Sequence, residues 1–174
     1  MSDTFMEKIV RRRKTGQDYL KMAGLVLAAF VLLTALMMFG GYISFLVPLL
    51  LVGLFYGLWY FLTSLNKEYE YIVTNGDLDI DMIVNRRRRK RVFTGKAREF
   101  EVMAKVNSDD YREAQKGKYV LLDCSESIQS PDNWFFITDY KGQRTMVIFA
   151  PDERMLKNMK RFNPSKIKYV QYGA

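Results

Sequence analysis

MAGLVLAAFVLLTALMMFGGYISFLVPLLLVGLFYGLWYFLTSLN, residues 22–66, runs for 45 positions without a charged side chain. One bilayer crossing needs about 20 apolar residues, so this tract is long enough for two crossings and a tight turn. Gly40-Gly41-Tyr42 marks that turn near the middle. The predicted spans are residues 22–39 and 43–62, each roughly 27–30 Å long at 1.5 Å per residue. A secretory signal peptide has a shorter apolar run followed by a small-residue cleavage site. Here the first run is longer, a second follows at once, and no convincing cleavage site lies between. A soluble core helix that is apolar all round belongs in a large protein. Residues 67–174 are too few to wrap two such helices.

Details inside the tract agree with a membrane hairpin. Pro48 falls near the start of the second span, where a missing N–H costs least. Tyr42, Tyr56, Trp59 and Tyr60 lie near span ends, as interfacial aromatics do. Gly53 and Gly57 have the spacing of a close helix-packing face, most simply against the first span, although Gly is common in membrane helices anyway. Lys8, Arg11, Arg12, Arg13, Lys14 and Lys21 precede the tract, Lys67 and a dense basic run follow it, and the turn has no Lys or Arg. The positive-inside rule then places both termini in the cytoplasm of a cell-membrane protein.

The chain has 174 residues and a mass of 20.4 kDa, with 27 Lys+Arg, 19 Asp+Glu, no His and one Cys. One Cys excludes an internal disulfide, and a Cys/His zinc site cannot be assembled. Every catalytic device that needs an imidazole is excluded too. Three stretches result: a basic cytosolic segment 1–21, the hairpin 22–65, and a cytosolic β domain 67–174. In the first, Thr4 and Glu7 have capping-box spacing, and Phe5, Met6, Ile9 and Val10 follow at helical spacing. These predict a short interfacial helix with Arg11, Arg12, Arg13 and Lys14 at the membrane surface. The alternative is that the cations only set topology.

The last stretch reads as strands and then one helix. Residues 68–74 are rich in Tyr, Ile and Val. Residues 77–84 alternate, with Leu78, Ile80, Met82 and Val84 on one face and Asp77, Asp79 and Asp81 on the other. Asn75-Gly76 between them is a strong two-residue hairpin signal. That turn pairs Val73 with Leu78, Tyr71 with Ile80 and Tyr69 with Met82, and sets Glu70 against Asp81, an unfavourable like-charge pair. A third strand over 87–94 would lay cations beside the acidic row. Further strands are predicted at 100–106, 118–124, 133–139 and 143–149, with a helical turn at 108–114 and a loop at 125–132. The final helix, about 151–162, starts with Pro151 at its first position. It carries Met155, Leu156, Met159 and Phe162 on one apolar stripe facing a sheet. The fold class is therefore an α+β membrane protein: a two-helix transmembrane hairpin, then a small antiparallel sheet or partly open barrel capped by a C-terminal helix.

Arg86-Arg87-Arg88-Arg89-Lys90-Arg91 is one uninterrupted basic run, and without it the β domain would be close to neutral. It can form a cross-strand ion-pair ladder with the acidic row, contact anionic lipid headgroups, or meet a protein partner. Nucleic acid is disfavoured, because the run lacks interleaved aromatics. The stretches EYEYIVTNGDLDIDMIVNRRRRKRVFTGKAREFEVMA (68–104) and YKGQRTMVIFAPDERMLKNMKRFNPSKI (140–167) resemble a family of small two-span bacterial membrane proteins of uncharacterised function. The strand order is similar to the bacterial pleckstrin-homology-like domain. The resemblance implies that fold and brings no catalytic residues.

No phosphate-binding glycine loop and no G-x-S-x-G motif occurs. Cys124 has no His partner and sits in an apolar strand, which predicts core packing. Asp77, Asp79 and Asp81 line up along a strand about 7 Å apart instead of converging on a cation, so they read as a solvated face. Trp134, Phe135 and Phe136 read as core. The expectation is a non-enzymatic module without metal or cofactor, tethered to the bilayer and binding lipid or a protein. The alternative is an accessory subunit of a larger membrane complex.

Overall fold

The structure is a computed structural model and describes residues 5–169. The chain divides into two compact units, one spanning Lys14–Lys67, the other joining residues up to Arg13 with those from Glu68 onward.

The first unit is a helical hairpin. Helix α1 covers Gly16–Phe39 and α2 covers Val47–Ser64, joined through a 3-10 turn at Gly40–Ile43. Both are long and apolar enough to cross a membrane, and neither has a buried residue. Helix α1 begins six residues before the expected span, because Thr15 caps it: its backbone N–H and its hydroxyl each donate to the Asp18 carboxylate at 2.9 Å. Helix α2 begins later than residue 43, with Pro48 in its first turn, where the imino ring is tolerated. The expected packing of Gly53 and Gly57 against the first span is not made. A Cβ added at either glycine would meet nothing within 4 Å.

The second unit holds two four-stranded sheets. In the first, β1 (Phe5–Arg11), β2 (Lys67–Thr74), β3 (Asp77–Val84) and β4 (Arg88–Lys96) lie in sequence order. Strand β1 corrects the expected N-terminal helix. It pairs antiparallel with β2 along its whole length, from Phe5 opposite Thr74 to Arg11 opposite Glu68. Its exposure alternates with period two, turning Met6 and Val10 to the core. The expected cap residue Thr4 lies outside the described residues. Segment 1–21 is therefore split: its first part joins the sheet and its last part joins α1.

Asn75 and Gly76 both take positive φ, 51° and 85°, the primed turn that matches strand twist. The Gly76 N–H donates to Asn158 Oδ1 at 3.0 Å, and the Phe162 ring sits against the Gly76 Cα.

The second sheet contains β5 (Val102–Lys105), β6 (Val120–Asp123), β7 (Trp134–Tyr140) and β8 (Gln143–Phe149), in the order β5-β7-β8-β6. Strand β6 runs parallel to β8, so the sheet is mixed and not wholly antiparallel as expected. The chain passes from β6 across to β7 before returning through β8, which leaves β6 beside the later strand. Two short helices complete the unit, α3 (Asp109–Ala114) and α4 (Glu153–Phe162). Asp152 caps α4 by accepting from the Met155 N–H at 2.8 Å, so Pro151 precedes the cap and is not the first helical residue. Met155, Leu156 and Met159 of α4 are buried with Tyr71, Ile80, Phe93, Phe136 and Phe149 in one core. The architecture is thus the expected α+β class, with an unclosed pair of sheets in place of a single curved one. Trp134, Phe135 and Phe136 are core residues, as read from the sequence.

Cys124 is fully buried. Its carbonyl accepts from the Tyr71 hydroxyl at 2.5 Å, and that hydroxyl accepts from the Ala150 N–H at 3.3 Å. Burial, with the Asp123 charge beside it, pushes the thiol from its ordinary 9.0 up to about 12. Between those values the unfolded chain releases a proton that the folded one keeps. Stability should then fall with rising pH, by about 1.4 kcal/mol per unit from this group alone. Denaturant melts from pH 8 to 11 should show the slope, and Cys124→Ala should reduce it.

Candidate functional site

The basic run starts in the β3–β4 turn, where Asn85 and Arg86 take φ of 47° and 55°, and continues along β4. A bulge decides where its side chains go. Ile80 pairs with Phe93, but the next residue, Asp81, pairs with Arg91, leaving Val92 as the extra residue. Strict alternation from the buried Phe93 would turn Arg91 and Arg89 into the core. The bulge instead sets both inward-facing apolar residues, Val92 and Phe93, side by side, and sends Arg89 and Arg91 to the outer face with the acids.

There Arg91 bridges two carboxylates, Nε to Asp81 Oδ1 at 2.5 Å and Nη1 to Asp79 Oδ2 at 2.6 Å. Arg89 Nη2 meets Glu70 Oε1 at 2.8 Å. Arg86 and Arg11 both approach Glu68 Oε1, at 3.8 and 2.9 Å. Of the predicted ladder with the acidic row of β3, Arg91 makes the rung to Asp79 and Asp81, while Arg86 and Arg89 reach Glu68 and Glu70 of β2 instead. Among the described residues, Arg88 and Lys90 make no ion pair, and both are exposed. The like-charge contact of Glu70 and Asp81 is resolved by these arginines lying over it. Asp81 is only 3 % exposed, which corrects the reading of the Asp row as a solvated face. Asp77 does remain exposed, opposite Lys96.

Glu70 is 2 % exposed. Burial first, and the neighbouring Glu7 carboxyl second, hold its pKa above the ordinary carboxylate range, against the pull of Arg89. Its Oε2 accepts from no cation, amide or hydroxyl among the described residues, and the hydrogen-bonding neighbour of this carboxyl is Glu7.

Of the N-terminal cations expected at the membrane surface, Arg11 is paired with Glu68, and Arg13 binds Glu126 through both its side chain (2.6 Å) and its backbone N–H (2.7 Å). Arg12 is half-buried, with its charge near Tyr69, and Lys14 is exposed.

These groups surround an open groove of about 560 Å³ on the outer face of the first sheet. Ile9 and Ile83 give it apolar walls, Glu68 and Glu70 lie in it, and Arg11 with Arg86, Arg87, Arg88 and Arg89 ring it. Lys90 and Arg91, also read from the sequence as site residues, do not line it. The lining comes from the later half of β1, the first half of β2, the end of β3, the β3–β4 turn and the start of β4, all toward one sheet end. Sequence reasoning did not place Ile9, Glu68 or Glu70 in a site and read Arg11 only as a membrane-surface cation, because only the pairing of β1 with β2 brings them together. A larger groove of about 760 Å³ near Trp134 and Tyr169 alternates Lys8, Lys105 and Lys168 with Asp110, Asp132 and Glu153 and has no dominant charge.

A sequence model described as a bacterial PH-like domain matches residues 2–169, nearly the whole chain. The chain belongs to the bacterial PH-like domain family DUF6106. That match runs through β1, the hairpin and both sheets, in keeping with β1 being an integral strand of the family's domain. No curated protein and no solved structure matched the chain.

Proposed function

We propose that this member of the family is a membrane-anchored, non-enzymatic binding module whose arginine groove takes anionic lipid headgroups on the cytoplasmic side of the cell membrane. One observation carries the reading: five arginines converge, against two glutamates, at the sheet end where the chain leaves for the apolar hairpin after Arg11 and returns at Lys67. Guanidinium groups match phosphate oxygens in planar, paired hydrogen bonds. Strands β1 and β2, which flank the hairpin, are hydrogen-bonded neighbours. Two strands that pair must lie on the same side of a bilayer, so an even number of crossings between them fits, and α1 and α2 supply two. The cation distribution around the tract favours the cytoplasmic side.

The two kinds of cation give a test. Arg88 lines the groove and carries no ion pair among the described residues, so its loss should weaken lipid binding and leave stability alone. In native mass spectrometry of the detergent-solubilised full-length chain, phosphatidylglycerol should be retained more tightly than phosphatidylcholine. The variant Arg88→Ser should lower that affinity by about 5-fold, with the melting temperature unchanged. Equal retention of the two lipids, or indifference to Arg88→Ser, would reject the reading.

A further inference from the structure

The groove is not a simple anion trap, because carboxylates sit among its arginines. Arg89 covers Glu70, and Arg11 and Arg86 share Glu68. A bare phosphate entering here would draw those guanidinium groups to itself and strip them from the two acids. Glu70 would suffer most. It is 2 % exposed, it has the Glu7 and Asp81 carboxylates for neighbours, and Arg89 is the cation among the described residues that pairs with it. A buried carboxylate without donors is costly. A ligand that carries hydroxyl groups next to its phosphate removes that cost, since the hydroxyls donate to the carboxylates while the phosphate holds the arginines. Ile9 and Ile83 offer the same ligand apolar contact on either side.

We infer that the groove selects a polyol phosphate, a phosphate whose neighbouring carbons bear hydroxyl groups, with Glu70 as the acceptor that reads those hydroxyls. This rests on the reading of the groove as an anion site, and it adds a rule for choosing among anions.

The test uses the full-length chain in phosphatidylcholine nanodiscs doped with one of two lipids of equal charge. Phosphatidylglycerol has two free hydroxyls, and phosphatidylmethanol has none. The unaltered protein should bind phosphatidylglycerol about ten-fold more tightly. Glu70→Gln, which keeps size and an acceptor for Arg89, should bring the two within about two-fold while phosphatidylmethanol still binds. Equal binding of the two anionic lipids, both above phosphatidylcholine, would overturn the selection rule and leave the anion site standing. No preference for either over phosphatidylcholine would remove the anion site itself. A preference that survives Glu70→Gln would overturn the role given to Glu70. The comparison on the unaltered protein needs no variant to fold. Adding free glycerol 1-phosphate separates the two sources of this chemistry. Displacement of the lipid at matched concentration supports a soluble polyol phosphate, and no displacement at millimolar levels supports a lipid headgroup.

Discussion

Arg91→Ala should lower the melting temperature of the sheet unit by about 8–12 °C, measured on the full-length chain in detergent. Arg91 is the only cation among the described residues that ion-pairs with Asp79 and Asp81. Breaking a buried pair from one side costs about 3–5 kcal/mol, because the other charge stays behind. The Arg91 side chain is 46 % exposed, so water already screens part of the interaction, and about 2 kcal/mol is the better figure. Arg91→Lys should recover only part of the loss, since an ammonium cannot span two carboxylates as the guanidinium fork does. Adding Asp81→Asn to Arg91→Ala should recover about half, because it removes the stranded charge. If Arg91→Ala melts like the unaltered protein, the bridge from Arg91 to Asp79 and Asp81 adds nothing to stability.

Gly76→Ala should cost about 3 kcal/mol. Two causes add. At φ of 85° an L-residue with a Cβ is strained by about 1–2 kcal/mol. The new Cβ would also run into the Phe162 ring, so that ring and the C-terminal turn of α4 must shift. Phe162→Ala on its own should lose packing, but combined with Gly76→Ala it should cost less than the sum, because the clash is gone and only the φ strain persists. Strict additivity in a denaturant-melt cycle would show that α4 does not seat against this turn.

The parts of this fold that could be read from the sequence are those written in local pattern. The hairpin is written in an uncharged run, the β2–β3 turn in Asn75-Gly76, and α4 in its Met155, Leu156, Met159 stripe. The ladder was legible to the extent that the acidic row and the basic run are near neighbours in sequence. Strand β1 was not legible, because Met6, Ile9 and Val10 fall at helical spacing while only Met6 and Val10 fit alternation, and its partner lies beyond the hairpin. The same distance hid the groove, since Ile9 and Arg11 reach Glu70 and Glu68 only through that pairing. The bulge at Val92 turns Arg89 and Arg91 outward, and its signal was the adjacent apolar pair Val92-Phe93, which breaks the two-residue period. The parallel pairing of β6 depends on which strand finally lies beside it, which no local pattern records.

Central to all of this is the claim that the tract enters and leaves the bilayer on one face, with the sheets inside the cell. Single cysteines in a Cys124→Ala background test it, using a maleimide reagent that cannot cross membranes, applied to intact cells. Tyr42→Cys, in the turn between α1 and α2, should be labelled from outside, and Lys168→Cys only after permeabilisation. Labelling of Lys168→Cys in intact cells, or protection of Tyr42→Cys there, would contradict the account.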